Sequence, residues 1–562
     1  MVTFGGKRFE DLLKFGIGIL LIININIFFS TYTIRFDLTE EKRFTISDAT
    51  IDLLKSLNDV VYVDVYLEGN FPPGFQRLQK AIQQTLDDFR VYAGDNVQYR
   101  FIDPDDFQGQ EGKQKLIQSL GEMGIQPTNL FANEDGKRTE RLIFPGAVVS
   151  FAGSEEGVML LKGNKSSTPQ ERLNQSIEGV EFELASTINR MVNIDRKRVG
   201  LIKGHGELDS LDIYAIRSEL LKKYDVFDVD IRKKADLNGY DALILAKPRY
   251  PFTDQELYKM DQFIMNGGKA LILVDMLDVN LDSISSEGTI GFPLKTNLDN
   301  LLFKYGVRIN KDYLLDLSSG GFPVVVGNMG NNPQVQMMPW PFYPIVNQFS
   351  DHPIVRNLDA VYFRFTSSID TVMSEDVEKT PLMYSSAYTK TVSSPVRISL
   401  NDLRKEMSPD IFNQGSKPLA YLLEGEFSSV FKNRFIPEGF EKSQFKDKSK
   451  KTAIIICADG DIIRNEINPQ NNTPFDLGYD PYLQAEFANK DFIINGLSYL
   501  IDENNLILTR NKEILIRPLD KIKAEDQKLR WQIINLVVPI LAIILYGSIR
   551  HYYRKRKYSS KF

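Results

Sequence analysis

The stretch that most constrains this chain is Trp531 to Ile549 (WQIINLVVPILAIILYGSI), nineteen residues without a charged side chain. As a helix rising about 1.5 Å per residue it would cover roughly 28 Å, close to the hydrocarbon thickness of a bilayer. Trp531 stands at one end and Tyr546, Tyr552 and Tyr553 at the other, where amphipathic rings settle in the headgroup layer. Arg550, Arg554, Lys555, Arg556 and Lys557 follow, with no acid among residues 550–562. Pro539 is compatible with a span, because neighbouring helices can satisfy the carbonyl it frees. The alternative, a buried helix of a soluble domain, would carry a polar stripe, and only Gln532, Asn535 and Ser548 interrupt this one. A transmembrane helix over 531–549 is the expectation.

A second candidate lies at Phe15 to Tyr32, eighteen uncharged residues with Lys7, Arg8 and Lys14 before it and Arg35 after. Residues 28–32 (FFSTY) make a poor cleavage site for a signal peptide, so an uncleaved anchor is expected. Asn24 and Asn26 lie near its middle, where an amide is costly unless bonded. Two readings stand: bonds within the anchor pair, or docking against a multi-span membrane partner. Two spans would place residues 1–14 and the basic tail 550–562 on one side and about five hundred residues on the other. Lys and Arg number nine on the presumed inner flanks and eight on the outer, nearly a tie. The dense C-terminal basic cluster favours cytoplasmic termini.

The overall 43% hydrophobic and 25% charged content is ordinary for soluble domains, so the apolar excess is local. A net charge of −6 gives no reason to expect nucleic acid. The single cysteine, Cys457, excludes an intramolecular disulfide and any cysteine-rich metal site.

Between the spans the pattern is α/β. Ser47 or Thr45 caps a short helix, Val60–Leu67 and Val97–Ile102 read as strands, and Phe75–Tyr92 as an amphipathic helix. This β-α-β order suggests a thioredoxin-like unit whose redox position, Gly69 to Gly74, holds no cysteine. Asp103, Asp105 and Asp106 could suggest calcium, though a solvated turn is the simpler reading. Further strands at 147–151 and 157–161 and a helix at 177–192 close a first extracytoplasmic domain, 33–195. A second domain, 196–515, shows short apolar strands alternating with helices: 199–203, 226–231, 242–246 and 270–275, with helices at 211–224 and 254–266. Apolar strands between helices indicate a parallel sheet covered on both faces, a doubly wound (amidotransferase- or flavodoxin-like) fold whose ligands sit beyond the carboxyl ends of the strands.

Gly204, His205, Gly206 and Glu207 fall at such an end, as does Asp275. The glycines let backbone N–H groups approach a ligand, and His205 with Glu207 offers a proton-transfer pair. No serine or cysteine elbow accompanies them, so a hydrolase or amidotransferase would need an unmarked nucleophile. No catalytic residue, metal ligand or cofactor is assigned. Residues 280–416 form an irregular insert: 320–323 and 327–333 read as loops, and Met337 to Pro344 as an exposed apolar, proline-rich stretch that could contact a partner, close the cleft or pack on the sheet. A strand at 419–423, a mobile charged loop at 441–451, and a strand at 452–458 follow; the last ends in Asp459 and Asp461, again acidic at a strand end. A helix from 491 to 501 leads to residues 505–518 and a juxtamembrane linker, 516–530.

Taken in order, the Arg35-Phe-Asp-Leu-Thr39 and Phe44-Thr-Ile-Ser-Asp-Ala-Thr50 segments, Gly204-His-Gly-Glu207, Asp459-Gly-Asp461 and Asn489-Lys-Asp-Phe-Ile-Ile-Asn495 resemble the GldG family, gliding-motility ABC-transporter auxiliary proteins of Bacteroidetes. The resemblance implies an inner-membrane protein with a periplasmic body, working beside a permease (GldF-like) and a cytoplasmic ATPase (GldA-like), often described as substrate-binding. The chain has no GxxxxGK[ST] loop, so a partner must hydrolyse ATP. The expectation is a non-catalytic auxiliary subunit of an ABC-2-type transporter. A tethered hydrolase using His205 and Glu207, or a structural part of a motility or secretion apparatus, are the alternatives.

Overall fold

A computed structural model describes residues 7–31, 45–69, 71–106, 110–134, 137–162, 168–193, 195–279, 288–329, 332–404, 407–502, 506–511 and 527–559. The motif at 35–39 and most of 505–526 lie outside them. The chain divides into two units, Met1–Glu513 and Ile514–Phe562.

The first unit opens with helix α1 (Lys7–Thr31). A four-stranded sheet follows, of β1 (Val61–Val65), β2 (Val97–Phe101), β3 (Gly146–Phe151) and β4 (Ser154–Met159), in the order β2-β1-β3-β4. Only β1 and β2 pair in parallel. Four helices accompany the sheet: α2 (Asp48–Lys55), α3 (Pro73–Ala93), α4 (Gln110–Glu122) and α5 (Pro169–Val192). Ser47 is the cap of α2, its side chain accepting from the Thr50 N–H. In α3, Leu78, Ile82, Leu86 and Phe89 recur at helical spacing and are fully buried, joining Val61, Val63 and Val65 in one core. Helix α5 starts earlier than expected, at Pro169, because Thr168 and Glu171 form a reciprocal capping box. Two of the three acids after β2 are ion-paired: Asp103 and Asp105 both bond Arg141, and Asp105 also bonds Lys113 at 2.6 Å.

An eight-stranded sheet forms the larger part of this unit. Its strands are β5 (Arg198–Lys203), β6 (Asp225–Asp230), β7 (Ala242–Ala246), β8 (Lys269–Leu273), β9 (Gln348–Phe349), β10 (Val377–Tyr384), β11 (Pro418–Gly425) and β12 (Thr452–Cys457). The order is β9-β10-β11-β12-β8-β7-β5-β6. The α/β class holds, but the sheet is mixed rather than wholly parallel. Strands β6, β5, β7, β8 and β12 run parallel, while β11, β10 and β9 alternate direction. The link from β11 to β12 contains no α-helix, and antiparallel neighbours need no crossover.

Successive side chains of a strand point to opposite faces, and β7 shows both faces buried. Ala242, Ile244 and Ala246 join the core under α6 (Tyr214–Lys223), through Ile216 and Leu220. Leu243 and Leu245 join the opposite core, under α7 (Asp254–Met265) and α8 (Asp299–Tyr305). Helix α9 (Asn489–Ile501) shares the first of these faces, through Phe492, Ile493 and Leu497. After it, Leu506 buries in the core of the four-stranded sheet, and the Arg510 guanidinium lies 5.5 Å from the Phe182 ring of α5.

Two expectations for the insert are corrected. Residues 320–323 lie within a strand, Ser319–Met329, which pairs antiparallel with Asn332–Val346. The proline-rich stretch is not exposed: Trp340 is 2%, Phe342 5% and Tyr343 7% accessible, packed with the buried Tyr313 and Phe365. The ladder with the preceding strand shifts register across 340–343, and the rings of Trp340, Phe342 and Tyr343 bury in one aromatic cluster. The charged 441–451 loop is also pinned rather than free: the Lys446 N–H donates to Gln262 Oε1 at 2.8 Å and the Ser449 hydroxyl accepts from the Phe427 N–H at 2.7 Å.

The second unit contains α10 (Lys528–Ser559), whose described side chains are exposed throughout. Among the described residues, one helix, Lys528–Arg556, is long and apolar enough to cross a membrane; in α1 the apolar run is Leu13–Asn24.

Replacing Trp340 with alanine tests the packed insert. Loss of a buried indole costs about 3–5 kcal/mol, so urea unfolding followed by circular dichroism should show a markedly lower midpoint. A midpoint unchanged from the parent would mean that the stretch is not part of the core.

Candidate functional site

The carboxyl ends of β7, β8 and β12 meet at one point, and each strand delivers an ionisable residue there. Lys247 follows β7 directly, Asp275 follows β8, and Asp459 and Asp461 follow β12. The Lys247 ammonium bonds Asp275 Oδ2 at 3.1 Å and forms a very short contact with Asp461 Oδ2. Its side chain is 11% accessible, those of Asp275 and Asp461 are 8%, and Asp459 is fully buried. Backbone groups complete the set: the Gly460 N–H donates to Asp275 Oδ1 at 2.6 Å, and Asp459 accepts from the N–H groups of Asp461 (2.7 Å) and Arg364 (2.6 Å).

This arrangement requires unusual backbone. Lys247 sits at φ +55°, in the left-handed region that non-glycine residues seldom occupy. A Cβ on Gly460 would stand 2.7 Å from the Lys247 Cβ, so only glycine lets the two segments approach this closely.

Burial disfavours every charge here, and the neighbours decide which survive. For Lys247, Asp275 and Asp461 outweigh burial and raise the pKa above the ordinary lysine range. For Asp461, burial is outweighed by Lys247 and the pKa is lowered. Asp459 is pushed well above the carboxylate range by burial, with the charges of Asp275 and Asp461 adding to it. Burial also raises Asp275, against the pull of Lys247. Beside the cluster, Arg364 bonds Glu466 at 2.5 Å and lies over the Tyr343 and Tyr362 rings, while Arg464 bonds Asp212 at 2.9 Å. The void bounded by Asp461, Arg364, Arg464 and Glu466 measures about 20 Å³, room for roughly one water.

The other residues singled out by sequence form a separate set after β5. His205 is 4% accessible, stacks on Phe252 at 3.8 Å between ring centroids, and places Nε2 3.2 Å from Glu256 Oε2. Glu207 folds back so that its Oε2 accepts from the His205 N–H at 2.7 Å, and its Oε1 lies 3.8 Å from His205 Nδ1. Gly204 and Gly206 both have positive φ, and a Cβ on Gly206 would meet the Tyr250 ring at 2.8 Å. The loop is thus a tight turn closed over a buried imidazole. Asn24 and Asn26 donate their amides to the carbonyls of Leu20 (2.8 Å) and Ile22 (3.1 Å), within their own helix.

Sequence reasoning missed Lys247, Glu256, Arg364, Arg464 and Glu466. Lys247 carried the same signal as the acids, a polar residue directly after an apolar strand. Glu256 was readable from the Thr253-x-x-Glu256 capping box that starts α7. Arg364 and Glu466 carried no local signal.

These features define an α/β protein with a closed polar cluster at the strand ends and a candidate membrane helix near its C-terminus. The chain belongs to the family described as an ABC-type uncharacterized transport system, whose model matches residues 196–496. Residues 40–150 match a second model, of a domain of unknown function (DUF7088). An uncharacterized protein of Borreliella burgdorferi is 24% identical over 562 residues, covering 97% of this chain and 98% of that protein. Among solved structures, the mmIFT52 N-terminal domain is similar with a TM-score of 0.30 and 13% identity over 54% of this chain and 97% of that one. A ThuA-like protein from Parabacteroides merdae gives 0.27 and 9% identity over 55% of this chain and 91% of its own. Likenesses this low carry no argument. The family makes the chain an auxiliary component of an ABC-type transport system.

The ion cluster predicts a sharp asymmetry. Lys247→Met leaves Asp275 and Asp461 buried without their cation and should cost about 3–5 kcal/mol in chemical denaturation. Adding Asp461→Asn to that variant should recover part of the loss. Equal stability of parent and single variant would refute the pairing.

Proposed function

We propose that this protein is a non-catalytic auxiliary subunit of an ABC-2-type transporter, similar to the GldG proteins of gliding motility, with two membrane anchors and a body outside the cytoplasm. In this reading residues 15–32 and 531–549 span the inner membrane and the termini are cytoplasmic. Domains 33–195 and 196–515 form the periplasmic body, with an insert at about 280–416. The anchors pack on a GldF-like permease, with a GldA-like ATPase supplying the energy. The observation that carries the reading is α10 in a chain of this family: side chains such as Leu536, Leu541, Ile543 and Leu545 are more than half exposed, and lipid or other spans must cover them. Because Asn24 and Asn26 are satisfied within their own helix, the first anchor can enter the bilayer before it meets a partner.

The strand-end residues fit a binding or coupling role better than catalysis. His205 and Glu207 are buried around a turn, and neither has a nucleophile hydrogen-bonded to it among the described residues. Of the ligand candidates Asp275, Asp459 and Asp461, only Asp461 reaches the small polar void beside Arg364, and any ligand contact at this cluster is assigned to it. The tethered-hydrolase alternative would require the turn at Gly204–Glu207 to open.

Solubilised in mild detergent, the tagged full chain should co-purify with a multi-span permease and an ATPase bearing a GxxxxGK[ST] loop; reproducible recovery without either would overturn the transporter assignment. Protease added to intact spheroplasts should digest the body and spare an epitope in the basic tail at 550–562. Digestion of that epitope from outside would reverse the topology.

A further inference from the structure

A cavity of about 570 Å³ in the first unit lies away from the strand ends. It opens where α5, the linker into β5, the end of α6 and the end of α9 come together, the segment around Leu506 closing one side. Volumes of roughly 300–1,000 Å³ are those of small-molecule sites.

Its walls mix apolar, acidic and basic side chains. Phe182, Ile501, Leu506 and Ile507 supply apolar surface. Five cations also line it, four of which are already engaged. Arg190 is paired with Glu156, Lys222 with Glu219 at 2.8 Å, Arg196 with Asp225 at 3.5 Å and Lys197 with Asp241 at 3.7 Å. The side chain of the fifth, Lys223, makes no hydrogen bond or ion pair among the described residues. Burial, reinforced by the neighbouring charge of Arg190, pushes Lys223 down to about 8. Lys162 acts in the same direction, while Glu183 and Glu156 oppose it. Glu183 is itself bonded to Lys162 at 3.0 Å. The cavity is therefore lined by five cations against three acids, Glu156, Asp195 and Asp502, with the Lys223 ammonium left without a side-chain partner among the described residues.

We propose that this cavity binds a small organic anion, its carboxylate or phosphate head against Lys223 and its apolar body against Phe182, Ile501 and Leu506. An inorganic ion would leave the apolar wall uncovered, and a neutral apolar molecule would leave Lys223 unmet. The site draws on both sheets' helices, α5 from one and α6 and α9 from the other, so its occupant would tighten the junction between them. It stands independently of the transporter assignment.

Pyridoxal 5′-phosphate reports on such a site, being an aromatic phosphate with an aldehyde. The unprotonated lysine amine condenses with the aldehyde to an imine, releasing water. Borohydride then adds hydride to the imine carbon and solvent supplies the proton on nitrogen, leaving a secondary amine that peptide mapping locates. In full-length protein held in phosphatidylcholine nanodiscs near pH 7.5, Lys223 should label several-fold faster than Lys222, whose ammonium is held by Glu219. Phenyl phosphate should suppress that labelling if the natural anion is a soluble one. Suppression on changing to phosphatidylglycerol nanodiscs instead would assign a lipid headgroup. Lys223→Gln, which removes a charge without a side-chain partner, should fold and melt no lower than the parent, but lose the thermal stabilisation that phenyl phosphate or phosphatidylglycerol confers. Equal labelling of Lys222 and Lys223, labelling indifferent to both anions, or stabilisation that survives in Lys223→Gln overturns the proposal.

Discussion

Lys247 is the point on which the large sheet turns. Three parallel strands end beside it, and each would otherwise leave a carboxylate or a free backbone end in a dry environment. Two of those carboxylates, on Asp275 and Asp461, close on one ammonium, while Asp459 takes backbone N–H groups from the β12 turn and from the insert at Arg364. One buried charge thus joins the middle of the sheet to the segment that covers its carboxyl end. In a medium where an unpaired ion is several kcal/mol out of place, this set specifies how the strand ends and the insert must meet. The left-handed backbone at Lys247 and the glycine at 460 are the local strain that this geometry demands.

What the sequence made legible follows from how far apart the determining residues lie. The apolar strands and the helices between them showed because their periods are local, and β5, β7, β8 and β12 fall where alternation of apolar runs and helices put them. The mixed direction of the sheet did not show. Whether β11 pairs parallel or antiparallel with β12 depends on the path of residues 426–451, which Asp261 fixes by accepting from the Ser429 hydroxyl at 2.6 Å and the Val430 N–H at 3.0 Å. That partnership spans more than 160 positions and leaves no local trace.

The insert was hidden for a different reason. Prolines at 339, 341 and 344 mark the stretch as proline-rich, yet they flank Trp340, Phe342 and Tyr343, whose rings the hairpin buries. Its stability comes from aromatic packing, Trp340 stacked on Tyr343 at 5.6 Å with Phe322 and Phe365 edge-on to the indole, rather than from a continuous ladder. A motif search sees proline and glycine there and returns a loop. Arg364 escaped notice likewise, since its ion-pair partner Glu466 lies outside the insert, beyond β12.

The site was half legible, and the half that was missed changes what it can do. Acids at strand ends, taken alone, suggest a cation or a proton-transfer centre. The lysine and arginines that the fold brings among them neutralise that charge internally and leave room for little more than a water. The cavity at the junction shows the opposite balance, with roughly thirty times the space and a cation left over. A protein that had to hold its own sheet together and still respond to something outside it would separate these two tasks in this way. Opposite charges are sealed where the strand ends and the insert meet, and one ammonium is left without a side-chain partner where the helices of the two sheets come together.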